Sequence, residues 1–183
     1  MQVEMKAKVE DFSRIRKYLA SHGAVQTEVI RQIDYYLDPP GKNLHGIGDN
    51  QMFRLRYDET QKRCWLARAF AKSMSKESKT REKREVEIIG PLEDVLWIFT
   101  SVGFRIAYEV VKKRENYNLG DVRISLDRVE GLGDFVEIEK SCEDGDREKV
   151  EKFLDDIFIQ MSIEGKDKDS RPYMWMLIEK SQK

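Results

Sequence analysis

The chain has 183 residues, with 33 Lys and Arg against 34 Asp and Glu, so 37% of it is charged while the net charge is only −1. That length favours one domain, taken here as residues 1–183. A 40% hydrophobic composition with almost no net charge excludes intrinsic disorder, and the balance disfavours a general nucleic-acid surface. No run of about 18 apolar residues is present, so no membrane span is expected. The opening MQVEMKAKVEDF carries charges where a secretory leader needs an apolar stretch. Cys64, Cys142, His22 and His45 have no metal-binding spacing. The expectation is a reduced, cytoplasmic protein.

Residues 2–9 alternate, with Val3, Met5, Ala7 and Val9 opposite Gln2, Glu4, Lys6 and Lys8, which predicts a strand. Asp11 is a helix cap before Phe12, Ile15 and Leu19, and Gly23 is the stop, giving a helix over 11–22. A strand is expected near 28–38 and a loop over 41–50. Two more strands are expected at 51–58 and 62–71, and a flexible loop or hairpin end at 72–80, KSMSKESKT. The alternation resumes over 82–89. Pro91 then opens a helix striped by Leu92, Val95, Leu96, Phe99 and Val102. Short strands follow at about 105–115, 120–129 and 134–140. A third helix covers about 145–161 with Val150, Phe153, Leu154, Ile157, Phe158 and Met161 inward, and a short helix is expected after residue 170 through Tyr173 and Leu177. The long central run of strands points to an α+β protein with an antiparallel sheet, curved or closed.

Period two also sorts the charges. Glu4, Lys6 and Lys8 share one side of their strand, as do Arg54 and Arg56, Lys83, Glu85 and Glu87, Lys112 and Arg114, Arg123 and Asp127, and Glu137 and Glu139. Two readings stay open on pattern alone. One is a half-solvated sheet with a charged outer face. The other is a lumen of both signs, with carboxylates for a hard divalent cation and Lys/Arg for phosphate oxygens. Residues 62–84 hold nine Lys/Arg and two acids, but they lack the interleaved aromatics of a base-stacking platform. Lys72, Lys76 and Lys79 read as a solvated lysine-rich loop. No Walker, Rossmann or Ser/His/Asp pattern is present.

The sequence resembles the CYTH family, or triphosphate tunnel metalloenzymes, which includes class IV adenylyl cyclases and thiamine triphosphatases. The resemblance rests on Gln2-Val3-Glu4-Met5-Lys6 against the family's ExExK signature. It continues through Gln32-x-Asp34-Tyr35-Tyr36, Arg54-Leu55-Arg56, Lys83-Arg84-Glu85-Val86-Glu87 and Lys112-Lys113-Arg114. It ends with Ser125-Leu126-Asp127, the run Gly131 to Glu139, and Arg171-Pro172-Tyr173.

The resemblance implies an eight-stranded antiparallel β-barrel, the triphosphate tunnel, with flanking helices. It implies catalytic roles for Glu4, Lys6, Glu137 and Glu139. Glu4, Glu137 and Glu139 would hold Mg²⁺ or Mn²⁺, with Glu85, Glu87 and Asp127 as further candidates. Lys6, Lys8, Arg54, Arg56, Arg68, Lys83, Lys112, Arg114 and Arg123 would bind the triphosphate. Asp34 would orient a basic neighbour, and Tyr173 would brace one mouth. Gln2 stands where the signature has a first glutamate, and Arg68 where the family has lysine. The implied partner is a small triphosphate-bearing molecule; a homodimer is one option for assembly. The implied activity is metal-dependent hydrolysis of tripolyphosphate, thiamine triphosphate or nucleoside triphosphates. The alternatives are cyclisation of ATP and a noncatalytic polyphosphate, nucleotide or RNA-binding module.

Overall fold

The computed structural model describes residues 2–44 and 51–182. Residues 45–50, which hold His45 and most of the loop expected at 41–50, lie outside them. The strands are β1 (Gln2–Val9), β2 (Val25–Asp38), β3 (Gln51–Asp58), β4 (Arg63–Met74), β5 (Ser78–Ile88), β6 (Arg105–Leu119), β7 (Val122–Val129) and β8 (Gly133–Ser141). The helices are α1 (Ser13–Ser21), α2 (Leu92–Ser101), α3 (Arg147–Gln160) and α4 (Tyr173–Ser181).

All neighbouring strands are antiparallel, in the order β1-β5-β4-β3-β2-β6-β7-β8, and β1 returns to β8, so the pairings run in a ring. The even eight-stranded barrel implied by the resemblance is corrected at one seam. β1 pairs with β8 along its whole length, Gln2–Val9 against Asp134–Ser141. It pairs with β5 only through Gln2–Met5 against Ser78–Arg81. Beyond Met5, a ninth segment takes that edge. Ala7 bridges Lys168, the Asp169 N–H donates to the Lys6 carbonyl at 2.8 Å, and the Ser170 N–H to the Lys76 carbonyl at 3.0 Å. The eight strands alone therefore do not seal the sheet.

The apolar core lies mostly outside the ring, between sheet and helices. Val3, Met5 and Ala7 of β1 pack with Ile124, Leu126, Val136 and Ile138 beneath Ile15 and Leu19 of α1 and Leu154 and Phe158 of α3. Replacing a fully buried side chain here, such as Leu154, with Ala would cost about 2–5 kcal/mol. A second cluster seats α4, through Tyr173, Met174, Trp175 and Ile178, against Tyr36, Val110 and Phe135. A third places Val95 of α2 on Tyr35, Leu37, Leu55 and Cys64. With one face of each strand turned to these clusters, the other face turns to the interior.

Local signals act largely as their chemistry requires. The Asp11 carboxylate accepts the Ser13 N–H at 2.6 Å, but from one residue ahead of the capping position, which Phe12 holds. Gly23 follows α1 with φ +71°, a conformation that costs a residue without Cβ little. Three expectations change. Of the two readings of 72–80, the hairpin end holds and the long loop does not: β4 continues to Met74 and β5 starts at Ser78 around a short turn in which the Ser75 hydroxyl accepts the Ser78 N–H. Phe153 is exposed rather than inward, with the Lys140 ammonium 5.6 Å from its ring centre. Val102 is exposed rather than part of the α2 stripe, because the helix has ended at Ser101.

Candidate functional site

The interior holds a cavity of about 140 Å³. Its walls come from β1–β6, β7, β8 and the start of α4, and carry both signs of charge. Strand register decides which side chains meet there. Glu4 stands opposite Glu139, and Lys6 opposite Glu137, across β1 and β8. Oxygens of Glu4, Glu137 and Glu139 lie within 4.8 Å of one another. A set of three carboxylates at this spacing fits a hard divalent cation such as Mg²⁺ or Mn²⁺.

Each of the three also faces a cation of the chain. Lys79 Nζ is 2.5 Å from Glu4, Arg114 is 3.3 Å from Glu137, and Arg123 is 3.3 Å from Glu139. Lys79 was expected in a solvated loop. Its register opposite Glu4 instead places it in the cavity wall, buried.

The basic wall is built around two buried aspartates. Asp34 accepts two hydrogen bonds from Arg56, at 2.6 and 2.8 Å, with Arg54 at 3.4 Å and the Lys112 ammonium at 3.6 Å. Burial alone would raise the Asp34 carboxyl, but Arg54, Arg56 and Lys112 outweigh it and hold it well below the usual carboxylate range. Asp127 accepts from Arg114 at 2.6 and 2.5 Å and from the Tyr173 hydroxyl at 2.9 Å. Burial again opposes its charge, and Arg114 and Lys112 overcome it. The two-point geometry fixes both guanidinium planes. Burial, Asp127 and Glu137 push the Tyr173 hydroxyl well up, so it remains a proton donor.

Two lysines are poised differently. Burial, then the nearby Lys79 charge, lower Lys6 to about 7, although Glu137, Glu4 and Asp169 partly offset this. Its ammonium donates to the Arg171 carbonyl and lies 4.1 Å from the Tyr173 ring centre. Burial and then Arg114 lower Lys112 to about 8. An arriving anion would raise both and favour their charged forms.

The sequence-derived candidates divide accordingly. Glu4, Lys6, Arg54, Arg56, Lys83, Lys112, Arg114, Arg123, Glu137 and Glu139 all line the cavity. Five others do not join the role expected of them. Asp127 is fully buried and tied to Arg114, outside the carboxylate cluster. Glu85 is held by Lys83 at 3.1 Å and Arg54 at 3.6 Å, so it counters the basic wall. Glu87, at the end of β5, is half-exposed and pairs through both oxygens with Arg63 at 2.6 Å. Lys8 is exposed in a separate surface hollow with Arg128 and Asp134. Arg68 alternates with Ala67 and Ala69; the register puts Ala67 opposite Arg54, so Arg68 turns to the outer face, stacked 4.4 Å from the Phe70 ring centre and bonded to Gln51 at 2.5 Å. Lys79 was the residue sequence reasoning missed. The signal was its shared parity with Lys83, hidden in a polar run.

A CYTH domain model matches residues 1–173. The chain is 29% identical over 164 residues, 89% of its length and 90% of the relative's, to a protein of Methanocaldococcus jannaschii named "Putative adenylate cyclase MJ0240". Among solved structures it is similar to the PH1819 protein of Pyrococcus horikoshii, with 27% identity and TM-score 0.81 over 98% of this chain and 99% of that one. It is also similar to a conserved hypothetical protein of Pyrococcus furiosus, with 25% identity and TM-score 0.78 over 95% of this chain and 98% of that one. No helix among the described residues is long and apolar enough to cross a membrane.

Proposed function

The chain belongs to the CYTH, or triphosphate tunnel metalloenzyme, family, and from that premise we propose that it is a divalent-metal-dependent triphosphatase. One observation carries the reading: three clustered carboxylates face a wall of lysines and arginines across a single cavity. A small, strongly anionic substrate needs only this local basic lining, so a net charge near zero is no obstacle. The substrates that fit this chemistry are tripolyphosphate, thiamine triphosphate and nucleoside triphosphates.

Arg54, Arg56, Lys83, Lys112 and Arg114 bind the phosphate chain and offset the charge that builds on the transferred group. Asp34 and Asp127 keep the guanidinium groups aimed before the substrate arrives. Glu4, Glu137 and Glu139 would hold Mg²⁺ or Mn²⁺, which supplies Lewis-acid polarisation of phosphate oxygens and activation of water. Water attacks the terminal phosphorus, the bridging P–O bond breaks, and inorganic phosphate and the diphosphate leave.

The test is phosphate release from tripolyphosphate, thiamine triphosphate, ATP and GTP with Mg²⁺ or Mn²⁺, products identified. Glu137→Gln removes one charged oxygen of the cluster and should lower metal-dependent turnover by about 100-fold or more. Unchanged turnover in a folded variant rejects the site. A second reading is cyclisation of ATP to cyclic AMP and pyrophosphate, favoured by the cyclase name of the Methanocaldococcus relative. The same product analysis decides it: cyclic AMP in place of ADP and phosphate.

A further inference from the structure

Lys79 has a place in the cavity that the phosphate-binding wall does not explain. Its side chain is 10% exposed and that of Glu4 3%, and the two charges are 2.5 Å apart. The same ammonium donates to the Ser170 carbonyl at 3.3 Å, so it is fixed from two sides. In the same cluster Arg114 lies 3.3 Å from Glu137 and Arg123 3.3 Å from Glu139, and Arg123 is 61% exposed. Gln2, two residues before Glu4, adds no carboxylate to offset Lys79.

Resting on the metal-dependent triphosphatase reading of this cavity, we propose that Lys79 is an exchangeable counter-cation. It makes the site take a divalent cation and a polyphosphate together, and it bars a free cation from binding alone. A cation arriving at Glu4 by itself meets an ammonium already in place, and two like charges close together in a buried wall repel strongly. A polyphosphate removes the conflict. Lys79 lines the same cavity as Arg54 and Lys83, so its ammonium passes from Glu4 to a phosphate oxygen. The Glu4 oxygen that Lys79 held would then be open to a divalent cation. Only ionic contacts change partners, and the charge stays balanced at each.

The test is calorimetry on the full chain with two titrants: Mn²⁺ alone, and the preformed Mn²⁺ complex of diimidotriphosphate, whose P–N bridges resist hydrolysis. Lys79→Met should bind Mn²⁺ alone about tenfold more tightly than the wild type, because the ammonium beside Glu4 is gone. It should bind the complex about tenfold more weakly, because one charge-assisted phosphate contact is lost. Opposite shifts support the proposal. Shifts in the same direction, or no shift for Mn²⁺ alone, overturn it while leaving the triphosphatase reading standing. Wild-type protein that binds neither titrant overturns both. Melting curves establish that the variant is folded; if Lys79→Met is not, Lys79→Gln is used, whose amide can still donate to the Ser170 carbonyl.

Discussion

The acidic corner and the basic wall of the cavity are held in different ways. On the basic side, Arg56 and Arg114 are each gripped at two points by a buried aspartate, at 2.5–2.8 Å. On the acidic side, Arg114 meets Glu137 and Arg123 meets Glu139 at 3.3 Å, and the Lys79 ammonium, which has no planar fork, meets Glu4 at 2.5 Å. Two-point pairs in a buried setting fix geometry before binding; single contacts can be exchanged. The cations for phosphate are thus preset, while the carboxylates are left adjustable.

The sharpest way to break this contrast is at an aspartate hub. Asp127→Asn keeps shape but removes the nearest counter-charge of Arg114 and one of the two beside Lys112, leaving Glu137 to the first and Asp34 to the second. Chemical denaturation should show a loss of about 3–5 kcal/mol, larger than for Glu139→Gln on the adjustable side. Equal losses would mean that the two sides are not held differently.

A smaller effect tests Lys6. Its folded value of about 7 lies below the ordinary 10.5, so between these values the unfolded chain binds the extra proton. Stability from this group therefore rises with pH across that window, and the cost of the buried charge is fully present below about pH 7. From pH 7 to 9 the gain should be on the order of 2 kcal/mol. Thermal melts at the two pH values check it, and Lys6→Met should flatten the rise. Saturating tripolyphosphate should also flatten it, because the anion keeps Lys6 charged.

The smallest effect is expected at Glu87. It is half-exposed and its partner Arg63 more so. Glu87→Gln should shift stability by less than about 1 kcal/mol, with phosphate release within about twofold of wild type. A large loss of activity would return Glu87 to the metal site.

These contrasts were partly legible in the sequence. Glu4 with Lys6, Arg54 with Arg56, and Glu137 with Glu139 share a face because side chains alternate within a strand. That rule works over two residues and needs no tertiary information. It does not say which face meets which partner across strands. Arg68 shows the limit: its strand was recognised, but only register with Arg54 reveals that Ala67 and Ala69 take the inward positions. Lys79 shows another. Its polar neighbours resemble a loop, and its burial follows from pairing with β1, far earlier in the chain. The short β1–β5 seam was equally hidden, because the segment that completes it contributes one bridge and has no strand pattern of its own.

That seam bears on how the molecule assembles. β1 needs Ser78–Arg81 on one side, Asp134–Ser141 on the other, and Lys168 to finish its edge. All three lie far from it in sequence, so β1 closes only after long loops of chain have been ordered. Contacts of such separation slow folding, and until they form an edge rich in Val, Met and Ala stays open to other chains. The strand that carries Glu4 and Lys6 is thus secured only by partners distant in sequence, and the cavity's chemistry depends on their arrival.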